Sequence, residues 1–342
     1  MPLRRKRTPE SPTPLDSVDL LLFDLDGVVY AGANPIPHAV ESIGRAQESL
    51  RVGYLTNNAS RTDAAVAEQL RALGLRARPD DIVTSPQAAV LLLAEHVSPG
   101  ATVLVIGGDG LTTELEKAGF AVTRSADDGP AAVIQGFHPS VGWTDLAEAS
   151  FALRSDPHMP WIATNTDWTI PQSRGIAPGN GTLVSAVHTA VGRLPVVAGK
   201  PERAIFDAAV ARFGGSHPLF VGDRLDTDIV GANRAGIASA LVLTGIDGPK
   251  QVLAADVESR PRYLLADLRD LFLPYPEPVV EHRRGATRVS SGSAVVTVTD
   301  DAVRLAAPAE PVAVLRAAAA AIWGTGKPIY ALDVAPELYS SS

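Results

Sequence analysis

A chain of 342 residues with 46% apolar and 20% charged residues has a globular composition and enough length for two packed domains and an extension. Its formal charge of −8 speaks against a nucleic-acid partner, which needs clustered Lys and Arg. It has no cysteine, which excludes disulfides and thiolate metal sites, and its seven histidines are scattered with no pair at metal-ligand spacing.

Residues 1–17 begin with Arg4-Arg5-Lys6-Arg7 and continue through Pro9, Pro12 and Pro14. A basic start can open a signal peptide, but no apolar segment follows before Val18, and the run Leu20–Phe23 is too short to serve as one. The composition predicts a disordered basic tail. Nowhere does the chain approach the roughly eighteen apolar residues of a membrane span, so a cytoplasmic location is expected.

Leu20-Leu21-Leu22-Phe23 predicts a buried strand, and it runs straight into Asp24-Leu25-Asp26-Gly27. The run needs burial, whereas the acids need water, a metal or hydrogen-bond donors. Open α/β sheets reconcile the two at the carboxyl ends of their strands, where ligands bind. Asp24 and Asp26 are therefore candidate site residues. A strand followed by an Asx turn is the competing explanation, and later segments weigh against it. Val52-Gly53-Tyr54-Leu55 is a second short run, ending in Thr56-Asn57-Asn58. Ala59 to Asp63 then leads into a helical pattern with Ala64, Val66, Ala67, Leu70 and Leu73 on its apolar positions.

The middle of the chain, about residues 87–194, has its own α/β pattern. Strands are predicted at 103–106, 133–134 and 161–164, and helices at 111–118, 144–154 and 182–191. Ile106-Gly107-Gly108-Asp109-Gly110 tempts a dinucleotide-loop reading, but it lacks the G-x-G-x-x-G spacing and the later acid, so a tight turn is expected. Gly199-Lys200-Pro201-Glu202 opens another helix, with Pro201 suited to its first position. Lys200 is one of only five lysines, and its place at a strand-to-helix junction marks it for more than surface charge. Leu219-Phe220-Val221-Gly222-Asp223 is a third apolar run ending in an acid, followed by Arg224-Leu225-Asp226-Thr227-Asp228. Beyond the linker-like Pro274, Pro276 and Pro278, strands are predicted at 294–298 and 302–305, a helix at 311–323 and a strand at 329–332. This last stretch is too small to bury much alone and shows no cluster of catalytic residue types. It is expected to dock on the main body or on a second subunit.

None of these segments is specific alone. Together and in this order they resemble the four motifs of the haloacid dehalogenase (HAD) superfamily: DxDG at Asp24–Gly27, Thr56 at a strand end, Lys200, and GDxxxTD at Gly222–Asp228. TNNAS (Thr56–Ser60), ATNTD (Ala163–Asp167), PGNGTLVSAV (Pro178–Val187), GKPE and VGDRLDTDIVGANRAG (Val221–Gly236) are similar to the NagD and p-nitrophenyl-phosphatase type, which has a large α/β cap. The likeness covers about residues 18–275. It implies a doubly wound, mostly parallel α/β core at 18–86 and 195–274, an inserted α/β cap at 87–194, and a small α+β extension at 275–342.

The chemistry follows from the residue types. Asp24 can attack a phosphoryl group and form an aspartyl-phosphate. Asp26 can protonate the leaving alkoxide and then deprotonate the attacking water. Family members that cleave carbon–halogen bonds lack that second acid, so its presence points to phosphoryl transfer. A cation must offset the repulsion between Asp24 and the phosphate, and Mg²⁺ needs only one or two carboxylates plus phosphate and water. The resemblance implies Asp24, the Asp26 carbonyl and Asp223 as ligands, and Asp228 either through water or as a holder of the others. Asp226 is the alternative in that loop. Thr56, Asn57 and Asn58 offer donors to the phosphate at a strand end ahead of a helix, though an ordinary N-cap cluster has the same geometry. Lys200 adds a positive charge to the phosphate and to Asp24. Gly27 and Gly32 are expected to allow close backbone approach.

Substrate choice falls to the cap loop 165–181. Members acting on pyridoxal phosphate carry a His where Ile170 stands here, and an aliphatic residue resembles members acting on glycerol 3-phosphate and phosphoglycolate. Simple packing of Ile170 within the cap is the competing explanation. Asp167, Arg174 and His138 are further candidates for touching the leaving group; many relatives have Asp in place of His138. The resulting reading is a Mg²⁺-dependent phosphatase for a small phosphorylated metabolite, with glycerol 3-phosphate first and phosphoglycolate or a sugar phosphate next. A phosphotransferase and a non-catalytic phosphometabolite-binding regulator are the alternatives. A homodimer through the cap or the extension is left open.

Overall fold

The computed structural model describes residues 12–340 apart from 173 and 284. The basic cluster Arg4–Arg7 lies outside the described residues. The predicted tail reached residue 17, but Thr13 to Asp16 form a turn closed by a 2.8 Å bond from Thr13 Oγ1 to Asp16, and Pro12 accepts the Tyr275 N–H at 2.9 Å. Residues 12–17 are thus pinned to the body.

Six parallel strands form the core sheet, in the order Tyr263–Leu265, Ala238–Val242, Pro218–Gly222, Leu20–Phe23, Arg51–Thr56, Ile82–Thr84. Their side chains are almost all buried, as expected when helices cover both faces. Leu20–Phe23 and Pro218–Gly222 lie side by side at the centre, with Phe23 opposite Val221. From the first the chain winds to one side, and from the second to the other. The crevice between their carboxyl ends is therefore the switch point of the sheet.

A second, five-stranded parallel sheet lies in the insertion, in the order Val196–Val197, Trp161–Ala163, Ala132–Gln135, Thr102–Ile106, Ala121–Thr123. Helices Trp143–Ser155 and Asn180–Val191 pack together on it. The helix Ser85–Ala94 begins in a capping box between Thr84 and Gln87. It packs on the core helix Arg203–Phe213 and also on Asp109–Lys117 of the insertion. The expected cap boundary at residue 87 therefore falls inside a shared wall, and the insertion's own sheet starts only at Thr102.

Four antiparallel strands follow the proline-rich linker: Val279–Arg283, Ala286–Ser291, Ala294–Thr299 and Ala302–Leu305. The first two carry little pattern to read: Val279–Arg283 is exposed along its whole length, and Ala286–Ser291 buries only Val289 and Ser291. The strand predicted at 329–332 is instead a single 3₁₀ turn, Ile329–Ala331, ahead of the short strand Asp333–Val334. The helix Pro311–Gly324 covers one face of this sheet and docks on the core. Its Val314, Leu315, Ala318 and Ile322 share one apolar cluster with Leu225, Ile229, Leu241, Val252 and Leu264. Buried Arg316 bonds the Leu264 carbonyl at 2.8 Å and Asp270 at 3.2 Å, with its guanidinium 4.4 Å from the Tyr275 ring centre. The extension therefore docks on the chain's own body.

Candidate active site

Asp24 and Asp223 each follow one of the two central strands, so the sheet itself places them at the crevice. The Asp24 N–H donates to the Val221 carbonyl at 2.9 Å, continuing the ladder one residue beyond the strand. The Leu25 carbonyl then accepts the N–H groups of Val29 and Tyr30, folding the chain back over the site. Gly27 has a φ of 81°, and a Cβ there would run into the Asp223 carboxylate, as would one on Gly245. A Cβ on Gly222 would strike Asp228. These three glycines leave room for the acids. Gly32 does not act this way: it is exposed at the tip of a small hairpin, and nothing lies within 4 Å of where its Cβ would be. Its left-handed φ of 62° is reason enough for glycine.

Oxygens of Asp24, Asp223 and Asp228, all buried, lie within 4.8 Å of one another. Lys200 Nζ is 2.5 Å from Asp24 Oδ1 and 2.7 Å from Asp228 Oδ1. Asp228 Oδ2 accepts the N–H groups of Asp223 and Arg224 at 3.1 and 3.2 Å, so both its oxygens are engaged. Asp223 Oδ2 accepts the Ile246 N–H at 2.8 Å. Asp24 Oδ2 and Asp223 Oδ1 have no hydrogen-bond partner among the described residues. Asp226 turns outward and is held by Arg224 at 3.0 and 2.7 Å.

The electrostatics reflect three acids around one ammonium. Burial pushes the Asp24 carboxyl well above the usual range; Lys200 opposes this, while Asp228 and Asp223 add to it. Burial, then Asp228, pushes Asp223 up to about 7. Burial works against the charge of Lys200, but Asp228 and Asp24 outweigh it and hold the ammonium above its ordinary range. Asp26 is exposed and remains reachable by water. Partial loss of hydration still raises its carboxyl, against the pull of Lys200 and Arg61. The centre is short of positive charge and has two free carboxylate oxygens. That all-oxygen donor set fits a small hard cation such as Mg²⁺, which takes one or two carboxylates and fills its other positions with water or phosphate.

Thr56 is buried at its strand end, and its Oγ1 accepts the Asn58 N–H at 3.1 Å. Asn58 Oδ1 is taken by the Ser60 N–H and hydroxyl at 2.9 and 2.8 Å. The Asn57 carboxamide is fully occupied within the protein. Its Oδ1 accepts the Lys200 N–H at 2.8 Å, and its Nδ2 donates to the Lys200 carbonyl at 3.0 Å and to Asp167 Oδ1 at 3.2 Å. The hydrogen-bonding groups of that side chain are thus paired within the protein. Asp167 is likewise tied to Asn57, and burial raises its carboxyl against that bond.

Ile170 is half-buried on the hairpin Thr169–Gln172/Gly175–Pro178, where it pairs with Ala177, and Arg174 is exposed at the hairpin's tip. His138 bonds Ser140 Oγ at 2.6 Å and packs over Gly108. No hydrogen bond or ion pair joins Arg174 or His138 to Asp24, Asp26 or Asp223 among the described residues. The Gly107–Gly110 segment is a tight turn entering the helix Asp109–Lys117, and Gly110 lies against the Arg61 carbonyl of the core. Three residues at the site went unassigned from sequence: Arg61, whose charge acts on Asp26; Arg224; and Asn165, whose Nδ2 donates to the Asn57 carbonyl at 2.7 Å. Asn165 and Arg224 stood inside quoted motifs, which was the available signal.

A haloacid dehalogenase-like hydrolase family model matches residues 21–121, and a HAD-hydrolase-like model matches residues 197–271. The chain is 42% identical over 306 residues to the D-glycerol 3-phosphate phosphatase of Mycobacterium tuberculosis (strain ATCC 25618 / H37Rv), spanning 89% of this chain and 86% of the relative. It is 38% identical over 260 residues to the glycerol-3-phosphate phosphatase of Gallus gallus, spanning 70% and 83%. Among solved structures, the Mycobacterium tuberculosis glycerol phosphate phosphatase in complex with magnesium superposes with a TM-score of 0.80 at 39% identity, covering 92% of this chain and 93% of that one. The same protein has also been solved in complex with calcium.

Proposed function

Since the chain belongs to the haloacid dehalogenase-like hydrolase family, as one of its phosphoric monoester hydrolases, we propose that it hydrolyses a small organic phosphomonoester through a phosphorylated Asp24, with glycerol 3-phosphate as first substrate. The observation that carries this reading is the pairing of Lys200 with Asp24 at the switch point, with the solvent-exposed Asp26 two residues further along the chain.

One oxygen of the Asp24 carboxylate attacks phosphorus, and the other would face the metal. Lys200 holds Oδ1, fixing the carboxylate's orientation. Asp26 has the raised carboxyl that a general acid needs, and it is open to solvent two residues on from Asp24. It gives its proton to that oxygen and later takes one from the water that attacks the aspartyl-phosphate carbon–oxygen–phosphorus link at phosphorus. The Thr56 hydroxyl, which donates to no group among the described residues, and the Asn58 Nδ2 are available to the phosphate oxygens. Asp24, the Asp26 carbonyl and Asp223 would hold Mg²⁺, with Asp228 keeping Lys200 and the loop N–H groups in place around it. A bound Mg²⁺ supplies charge neutralisation between nucleophile and phosphate. Ile170, Arg174 and His138, all on the cap, are the candidates for meeting the leaving group. The names of the relatives support glycerol 3-phosphate; phosphoglycolate and sugar phosphates are the next candidates.

Among the described residues, no helix is long and apolar enough to cross a membrane. A cytoplasmic location belongs to the same proposal. So does a homodimer, for which the cap offers exposed Trp143, Phe151, Leu194 and Val196. The deciding experiment is phosphate release with Mg²⁺ over a panel of glycerol 3-phosphate, phosphoglycolate, pyridoxal phosphate and sugar phosphates. A kcat/KM for glycerol 3-phosphate at the top of the panel supports the assignment, and a top rank for any other member replaces it.

A further inference from the structure

Asp167 was expected to touch the leaving group, yet its carboxylate is bonded to Asn57, a residue of the core. Asn57 is placed unusually for a loop residue. One carboxamide grips both the N–H and the carbonyl of Lys200, at 2.8 and 3.0 Å, and reaches Asp167 with the same Nδ2. The Asn57 main chain is anchored as well: its carbonyl accepts the Ser85 hydroxyl at 2.8 Å and the Asn165 Nδ2 at 2.7 Å. Asn165 in turn accepts the Asp167 N–H at 3.1 Å and is held through its carbonyl by Asn180 Nδ2 at 2.7 Å. The junction is tight. A Cβ on Gly199 would meet the Thr164 carbonyl and Asn57 Oδ1, and a Cβ on Gly179 or Gly181 would strike the carbonyls of Asp167 and Thr166. At the far end of this chain of bonds, Lys200 Nζ holds Asp24 and Asp228.

We infer that Asp167 is a positioning residue: through Asn57 it ties the cap loop to the main chain of Lys200, so that the seating of the loop sets where the Lys200 ammonium holds Asp24. The cap then does more than enclose substrate. A displaced loop removes one partner from a carboxamide that fixes the catalytic lysine, and the nucleophile loses orientation without losing its charge. Because the link runs through hydrogen bonds to Asn57 rather than through contact with substrate, its loss slows turnover for any phosphomonoester alike. This inference rests on the phosphatase reading and adds a residue role to it.

The test uses the full chain with Mg²⁺ on two substrates, p-nitrophenyl phosphate and glycerol 3-phosphate. Asp167→Ala is expected to lower kcat roughly tenfold on both, with KM changed by less than about twofold, the scale of one hydrogen bond to a charged group. Asp167→Asn keeps an acceptor oxygen for Asn57 Nδ2 and is expected to recover most of that loss. In an Asn57→Ala background, Asp167→Ala should add less than about twofold, because the link is already cut. A KM increase confined to one substrate would make Asp167 a leaving-group contact and overturn the inference. So would equal losses in the Asn and Ala variants, or full additivity with Asn57→Ala. If Asn57→Ala fails to fold, the Asn-against-Ala comparison at Asp167 decides alone. A wild type inert on both substrates would instead refute the phosphatase reading beneath it.

Discussion

The Lys200 ammonium lies 2.5 Å from one oxygen of Asp24, and the other has no hydrogen-bond partner among the described residues. One residue is thus both restrained and reactive: the bond from Lys200 orients the carboxylate without removing its charge. Asp24→Asn keeps the shape and an acceptor for Lys200 but removes the attacking charge. Phosphate release is expected to fall to background while circular dichroism and the melting temperature show a folded protein. Substantial turnover by this variant would rule out attack by Asp24.

Metal exchange should separate binding from chemistry. Chelation is expected to silence the enzyme and Mg²⁺ to restore it. Ca²⁺ should raise the melting temperature, since free oxygens of Asp24 and Asp223 can accept it, yet fail to restore turnover. Its bonds of about 2.3–2.6 Å and six to eight ligands, against about 2.0–2.1 Å and six for Mg²⁺, would misplace the nucleophile. Full activity in Ca²⁺, or after exhaustive chelation, would contradict the site as drawn.

The acids also predict a pH dependence with a definite sign. Asp223 has a folded pKa of about 7 against an ordinary 3.8, raised by burial and by Asp228. Between those values the folded state binds more protons than the unfolded one, so this group's contribution falls as pH rises. Asp24 is raised as well and acts in the same direction. With chelator present, the melting temperature should decline as pH rises from about 4 to 7. With Mg²⁺ the decline should shrink, because the cation replaces the protons. Thermal scans across pH with and without Mg²⁺ give the comparison, and superimposable curves would count against it.

If Ile170 faces the leaving group, Ile170→His should shift preference toward pyridoxal phosphate. Stacking and one hydrogen bond, each worth about 1 kcal/mol, set a ceiling of roughly tenfold on the kcat/KM ratio. Glycerol 3-phosphate should lose, since a small polar alcohol gains little from an aromatic wall. An unchanged ranking would show that Ile170 packs within its hairpin and does not select substrate.

Arg316→Ala tests how the extension is held. The substitution removes charged hydrogen bonds to Leu264 and Asp270 and the contact with the Tyr275 ring. A loss of about 2–3 kcal/mol is expected for a buried charged donor that leaves its acceptors unpaired. Urea unfolding measures it, and a loss below about 0.5 kcal/mol would mean the docking rests on apolar contact alone.

The core of the site was legible because its chemistry is incompatible with its surroundings. Acids ending apolar runs, at Asp24 and Asp223, have few structural explanations, and a sheet brings such ends together without further information. The fates of Asn57 and Asp167 were not legible. A carboxamide beside a candidate phosphate site and a carboxylate in a cap loop read alike whether they meet substrate or each other, and only their 3.2 Å separation in space distinguishes the two. The strand Val279–Arg283 was missed for a different reason: an edge strand open to solvent has no buried face to impose a period on its sequence. The cap boundary is not sharp, because Ser85–Ala94 packs on both core and insertion, and a helix apolar on several sides does not announce which domain it belongs to.

The helix Pro311–Gly324 contributes no chemical group, yet it shares its apolar cluster with Leu225 and Ile229, which flank Asp228 in the catalytic loop. In genetic terms, the terminal segment is therefore not dispensable. A stop codon between Pro274 and Pro311 would strip the cover from Leu241, Val252 and Leu264 and loosen the backing of the loop that holds Lys200. Such an allele is expected to behave like a null, losing soluble protein and activity together, although every catalytic codon remains intact.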